Sequence, residues 1–454
     1  MHPIIEKYIA FSPGSEALAS RAVEVFPGGD TRSSAHYGPY PLAVERAQGS
    51  TLTDVDGNEV IDFMNNFTSL IHGHAHPDVV NAVQAQVALG SAYAAPNENQ
   101  IALAELIIDR VRSIEQLRFT SSGTEGTNMA LRCSRAATGR QKVMKMEGGY
   151  HGSYEQGEVS LAPFPDMRGR LEEPSSIPID ESFPDSVLGD TVVCPYNEPD
   201  IAENLINKYA GELAAVIVEP VMGSMGMVPA TSEFLQCLRE ATERHGIVLV
   251  FDEVITMRLE HGGAQQAHGV IPDLTCMGKI IGGGLPVGGI GGRRDLMQLF
   301  SPEMERPVMH ASTFSGNALS MAAGYAAMTA FDIDENKRIN ELGVLLRKGF
   351  NQAFLQAGIK GQAMGVGSLT NILFTDNKVT NARHSIDAML AAGGVSQLLH
   401  LLMLQNGISS ASRLMYCTST AMSEIEVEKA VAAMHESLAE LRPYIERDRP
   451  QLLQ

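Results

Sequence analysis

The sequence predicts an α/β fold: a large central domain on a mostly parallel sheet, with a smaller α+β domain assembled from both chain ends. Three observations predict it. Through the middle of the chain short apolar runs alternate with longer helical patterns, a small meander precedes them, and after about residue 332 helix and strand patterns resume in a different mixture. The expected division is 1–75 for the N-terminal part of the small domain, 76–331 for the large domain, and 332–454 for the C-terminal part of the small domain.

In chain order, YPLAVERAQGSTLTDVDGNEVIDF reads as a meander, its Asp56-Gly57-Asn58 turn joining two strands. In HGHAHP, His72, His74 and His76 alternate, so in a strand they share one face. The pattern supplies no second shell of hydrogen-bonding partners, and no metal site is expected. Glu98–Val111 and Ser232–His245 carry apolar residues at three- and four-residue spacing and are expected helices. Expected strands are Leu117–Thr120, Lys142–Met146, Ala214–Val218, Ile247–Asp252 and Leu274–Met277. One stretch breaks the alternation. Glu155–Leu188 contains Pro163, Pro165, Pro174, Pro178 and Pro184 without sustained periodicity, and a loop of that length reads as a mobile cover.

Composition narrows the class of protein. A chain of 454 residues with 44% apolar and 19% charged residues can bury a large core and reads as a soluble globular enzyme. Its formal net charge of −19 opposes nucleic acid and anionic membranes as partners. No apolar stretch is long enough to span a bilayer, and the start MHPIIEKYIAFSPGSEALASR lacks a basic region followed by an apolar core, so a cytoplasmic location is expected. The five cysteines are scattered and never form a CxxC pair, which points to reduced, buried thiols.

Chemistry concentrates at the ends of the expected strands. Lys279 follows the apolar run Leu274–Met277 and precedes a glycine-dense segment whose backbone can approach a ligand closely. Upstream, GIVLVFDEV is an almost wholly apolar strand ending in Asp252. Amine and carboxylate thus meet at one rim of one sheet. Pyridoxal 5'-phosphate requires that pair: a lysine holds its aldehyde as a Schiff base, and an acid keeps its pyridine nitrogen protonated. Independently, FTSSGTEGTNMALRCSRAATG reads as strand, polar turn and helix. Ser122, Gly123 and Thr124 then sit at a helix N-terminus, where free amides and the helix dipole attract phosphate. GGGLPVGGIGG does not reproduce a dinucleotide fingerprint, and no GxxxxGK[ST] loop is present.

SSGTE, the Gly149-Tyr150-His151-Gly152 turn, Val218-Glu219-Pro220, FDEV and the Lys279 segment follow one another in the order and spacing of class III aminotransferases, and the resemblance covers nearly the whole chain. PDLTCMGKIIGGGLPVGGIGGR and HPDVVNAV resemble most the branch holding glutamate-1-semialdehyde aminomutase and the β-phenylalanine-type (β-amino-acid) aminotransferases. The resemblance implies a fold-type I architecture, pyridoxal 5'-phosphate as cofactor, and a homodimer whose active sites are shared between subunits. Carried over residue by residue, it implies that Lys279 binds the cofactor, that Asp252 pairs with its ring nitrogen, and that Tyr150 stacks on the ring while Val254 packs behind it. It likewise implies that Ser122, Gly123 and Thr124 hold the phosphate, that His151 lies in the cofactor site, that Glu219 lies near the phenolic oxygen, and that Thr313 reaches the neighbouring subunit's phosphate.

Substrates follow from the same resemblance. Arg32 and Arg413 align with arginines that hold carboxylate in the β-amino-acid aminotransferases, a task suited to the planar fork of guanidinium. The aminomutases tend to carry an arginine slightly later, where this chain has Ala35 and His36. After Asp-Glu-Val, Thr256-Met257-Arg258-Leu259 replaces the usual Thr-Gly-Phe-Arg. The resulting expectation is transfer of an amino group between a β- or aryl-substituted amino acid and a 2-oxo acid by a ping-pong mechanism. Its alternatives are a 2,1-aminomutase and, further off, a non-catalytic protein of the same fold.

Overall fold

The computed structural model describes residues 2–454. The chain divides into two compact units, one comprising Met1–His76, Arg338–Lys378 and Asp387–Gln454, the other Pro77–Lys337 and Val379–Ile386. The return of Val379–Ile386 to the larger unit has no signature in the periodicity of the chain.

The strands, in chain order, are β1 (Val44–Gln48), β2 (Thr51–Asp54), β3 (Glu59–Asp62), β4 (Gln116–Thr120), β5 (Lys142–Met146), β6 (Thr191–Cys194), β7 (Leu213–Val218), β8 (Val221–Met222), β9 (Val228–Pro229), β10 (Val248–Asp252), β11 (Leu274–Gly278), β12 (Gly288–Gly292), β13 (Gln362–Val366), β14 (Leu369–Leu373), β15 (Ile408–Ser409) and β16 (Met415–Cys417). The larger unit holds a seven-stranded sheet in the order β4-β12-β11-β10-β7-β5-β6. Pairing is parallel from β11 through to β6, whereas β12 runs antiparallel to both of its neighbours. The five expected strands all lie in this sheet, within a residue of their expected ends. Two others do not announce themselves. β6 is only four residues long, and β12 is a run of four glycines around Ile290 that reads as a loop.

β12 is a strand because its neighbours leave no space for side chains. A Cβ at Gly288 meets the carbonyl oxygen of Ser122 at 1.9 Å, and one at Gly126 meets the carbonyl oxygen of Gly289 at 2.7 Å. The helix Gly123–Thr138 therefore lies directly on bare backbone. Its buried face, with Met129, Ala130, Leu131 and Cys133, joins Val143, Ile217, Val250, Leu274 and Ile290 in one apolar cluster. Full burial of each large side chain there is worth about 1.5–3 kcal/mol.

In the smaller unit β1-β2-β3-β15 form one sheet and β13-β14-β16 another. The Asp56-Gly57-Asn58 turn joins β2 and β3 as expected, with Asp54 accepting from the amides of Asp56 and Asn58 at 2.9 and 2.8 Å. Phe350, Phe354, Leu402, Tyr416 and Leu438 are among its core residues.

Two expectations need correction. The alternate histidines do not line one strand face: His72 Nδ1 lies 2.8 Å from Thr420 Oγ1, while His74 Nε2 lies 2.8 Å from Asp62 Oδ2, an acid brought there by the fold. Nor is Glu155–Leu188 an untethered cover. Arg383 makes a two-pronged ion pair with Glu147 at 2.8 and 3.0 Å and donates to the carbonyls of Arg168, Gly169 and Arg170. Further back in the same stretch Ser160 donates its amide to Ile177 O at 2.7 Å, and Ser160 Oγ accepts from the Ile177 amide.

A steric prediction follows from β12. Gly288→Ala should destabilise the protein by roughly 1–3 kcal/mol or prevent folding, because the contact is backbone to backbone and no rotamer relieves it. Gly189→Ala, with nothing within 4 Å of the added carbon, serves as control. Equal urea midpoints for the two variants would show that the close approach is not a constraint.

Candidate active site

β4 ends at Thr120 and hands the chain to a helix N-terminus. Ser122 Oγ accepts the amide of Glu125 at 3.2 Å, and Glu125 Oε2 accepts the amide of Ser121 at 3.0 Å, so side chains satisfy part of the helix end. The amides of Gly123 and Thr124 have no acceptor among the described residues. Two free N–H groups at the positive end of a 16-residue helix make a cradle for a phosphate. The turn that carries Tyr150 packs directly on it, since a Cβ at Gly152 would meet Thr124 Cα at 2.7 Å.

Asp252 closes β10 and is 5% exposed. A carboxylate so deep must be hydrogen-bonded. His151 Nδ1 lies 2.9 Å from its Oδ2, and the Val254 amide donates to Oδ1 at 3.1 Å. Burial holds the His151 pKa below the ordinary histidine value despite the opposing pull of Asp252. The imidazole is therefore neutral at pH 7, with its proton on Nδ1, and its buried Nε2 has no partner among the described residues. Val254 fills the space behind: an added Cβ would meet its methyl carbons at 2.9 Å from Gly123 and at 3.3 Å from Gly278. Phosphate turn, Val254 and the end of β11 thus adjoin one another. Directly after Gly278, half-buried Lys279 takes a left-handed φ of 50°.

Glu219, at the end of β7, accepts the amides of Tyr150 and Gly223 at 3.0 and 3.1 Å. Burial first and the Asp252 charge second push its carboxyl up to about 8, while the two amides and Lys279 pull the other way. Tyr150 is 36% exposed, with its hydroxyl 3.0 Å from Ser153 Oγ. Beneath the turn lies Lys145, which sequence reasoning passed over. Its ammonium is fully buried and donates to the carbonyls of Met146, Gly149 and Val159, while burial draws its pKa down to about 7. The signal was present: a lysine between two methionines in the interior of a strand whose other lysine, Lys142, stands at its start.

Thr313 lies on an exposed loop between Met309 and Phe314, themselves 64% and 60% exposed. The loop is held beside the phosphate turn by Ser312 Oγ, 3.1 Å from Ser121 Oγ. Arg258, from the departing Thr256–Leu259 segment, is completely buried. Arg32 and Arg413 belong to the smaller unit, where the structure brings them together: their guanidinium carbons lie 5.8 and 5.6 Å from the centroid of one ring, Phe67. Nothing in the sequence reading singled out Phe67. Its backbone is unusual, because Asn65, Asn66, Phe67 and Thr68 have consecutive φ values of 48°, 46°, 54° and 74°. Left-handed backbone costs an L-residue roughly 1–2 kcal/mol, with asparagine paying least.

The Glu219 geometry predicts a pH dependence. A carboxyl that titrates near 4.5 unfolded and near 8 folded contributes stability that is complete below the unfolded value and is lost as pH rises through the folded one. Melting of wild type and Glu219→Gln between pH 5 and pH 8 should therefore show the variant gaining on wild type as pH rises. A constant gap would mean that Glu219 is ionised in the folded protein.

Comparison with known proteins agrees with this arrangement. The family model Aminotransferase class-III matches residues 32–406. A glutamate-1-semialdehyde 2,1-aminomutase of Desulfotalea psychrophila is 39% identical over 435 residues, covering 94% of this chain and 98% of that protein. An omega-transaminase from Sphaerobacter thermophilus superposes with a TM-score of 0.91 at 43% identity, covering 96% of this chain and 99% of that one. A β-phenylalanine aminotransferase from Variovorax paradoxus gives 0.86 at 33% identity, covering 99% and 97%. With the strand-end lysine, the buried aspartate and the open phosphate cradle in place, the chain belongs to the class III aminotransferases, fold-type I enzymes whose cofactor is pyridoxal 5'-phosphate.

Proposed function

We propose that the protein moves the amino group of a carboxylate-bearing amino acid, with Arg32 and Arg413 holding the carboxylate. The observation that carries this is the meeting of the two guanidinium groups over Phe67. Arg32 is a positive charge whose partners are neutral: Asn66 Oδ1 at 3.0 Å and the ring.

The residues present fit the cofactor. The free amides of Gly123 and Thr124, with Ser122, would hold its phosphate, Val254 would back its ring and Tyr150 would cover it. Bound there, pyridoxal phosphate supplies a carbonyl group for the incoming amine and a protonated ring that draws electrons from the substrate carbon. Asp252, fixed by His151 and the Val254 amide, keeps the proton on the ring nitrogen. Lys279 would hold the cofactor covalently at rest, and its Nζ, once freed, would move a proton between the substrate carbon and the cofactor carbon it had held. Glu219, uncharged at neutral pH, can donate a hydrogen bond toward the ring's phenolic oxygen. Thr313 is assigned to the phosphate of a second subunit in a homodimer, and the enzyme to the cytoplasm.

The destination of the nitrogen separates two readings. The curated sequence relatives support the 2,1-aminomutase, which returns nitrogen to the same molecule, better than the β-amino-acid aminotransferase expected from the sequence. Support for an aminotransferase comes from the likeness to solved transaminases and from Ala35 and His36, which stand where the aminomutases tend to carry an arginine.

Mutation, labelling and isotope tracing test the proposal. Lys279→Ala should abolish turnover, and borohydride reduction of the wild-type holoenzyme should label Lys279; a label on another lysine would refute its role. Nitrogen-15 from a labelled amino donor should reach an added 2-oxo acid if the enzyme is an aminotransferase. Isomerisation of glutamate-1-semialdehyde with no external acceptor identifies the aminomutase. In either case Arg32→Ala should raise the KM of the carboxylated substrate roughly 10- to 100-fold, the loss of a charge-assisted pair.

A further inference from the structure

We infer that Phe67 is a positioning residue for carboxylate recognition: its ring, presented by a left-handed turn, sets the arrangement of Arg32 and Arg413 and so the carboxylate the enzyme accepts. The inference rests on the reading of those arginines as carboxylate anchors. Both guanidinium groups lie over the same ring, at 5.8 and 5.6 Å, although they come from opposite ends of the chain. Each cation is attracted by the negative face of the ring it lies against, and a bound carboxylate would pair with the same guanidinium groups.

The turn is built to hold this geometry. Asp62 Oδ1 accepts the amides of Met64 and Asn65 at 2.9 and 3.0 Å. Asn65 Nδ2 donates to Cys417 O at 3.0 Å, fastening the turn to the end of β16. Ser69 Oγ donates to Asn66 O at 3.0 Å, and Asn66 in turn holds Arg32. On the other side Leu414, the residue after Arg413, is also left-handed with φ 64°, and Arg413 Nη2 donates to Met415 Sδ at 3.5 Å. Backbone strain on both elements that meet at the ring marks a place where position is maintained against local preference. A ring serving only to fill space would need neither the strain nor two cations.

The test uses holoenzyme and two unreactive carboxylates, pentanoate and 3-phenylpropanoate, as probes of an aliphatic and an aryl acid, with Kd measured calorimetrically alongside Tm. For the probe that wild type binds, Phe67→Leu should weaken binding roughly 5- to 20-fold, the loss expected when two cation–π contacts disappear. Phe67→Tyr should restore it to within about 2-fold, and both variants should melt within about 2 °C of wild type. In turnover, Phe67→Leu should lower kcat/KM for β-phenylalanine relative to 1-phenylethylamine through KM. Should Phe67→Leu fail to fold, Phe67→Met keeps the size without the ring and takes its place. Wild-type affinity in the leucine or methionine variant, while Arg32→Ala is weakened, overturns the role of Phe67 and leaves the carboxylate reading standing. If neither probe binds wild type, or both arginine variants bind as wild type does, the carboxylate reading falls and this inference with it.

Discussion

The hydrogen bond between His151 and Asp252 is the constraint on which the large unit's chemistry depends. Asp252 ends a strand flanked on both sides by parallel neighbours, so water cannot solvate its charge. The fold meets the cost with one imidazole from the turn after β5 and one amide from its own strand end. The histidine can serve because it too is buried and therefore uncharged. Each group makes the other tolerable, and both need the tight turn at Gly149–Gly152.

That turn is secured from beneath by a second buried polar set. Lys145 gathers three carbonyls, two of them from the turn's approach and one from Val159 beyond it, while Glu219 collects the Tyr150 amide. Burial acts on the two side chains in opposite directions, lowering the lysine and raising the acid; the Glu219 charge offsets part of the lysine's shift, and Lys279 offsets part of the acid's. The turn is thus supported from beneath by buried polar contacts. Arg383 and Glu147 extend the support to the proline-rich stretch, which explains why a segment without periodicity keeps a defined course.

Sequence reasoning reached the large sheet because parallel strands buried on both faces appear as unbroken apolar runs, and it reached Lys279, Asp252 and Ser122–Thr124 because those residues stand at strand ends. It missed β12, since a strand without side chains has no hydrophobic pattern, and Lys145, since the partners that define it are carbonyls. The pairing of Arg32 with Arg413 through Phe67 was also illegible. The resemblance names the two arginines together but not the ring they share, and the left-handed run that presents it contains no glycine to betray it. Asp62 answered for His74 in the same way, through proximity made by the fold rather than by spacing.

The order of strands in the large sheet also bears on how the protein is made. β4 carries the phosphate turn, yet its only partner in the sheet is β12, which pairs with it over Gly288–Gly292. During synthesis the strand that leads into the cofactor cradle leaves the ribosome early and waits, unpaired, while the strands that will separate it from β5 are translated. A nascent chain that stops short of Gly292 can build the sheet from β6 to β11 while β4 still lacks the strand that links it to that sheet.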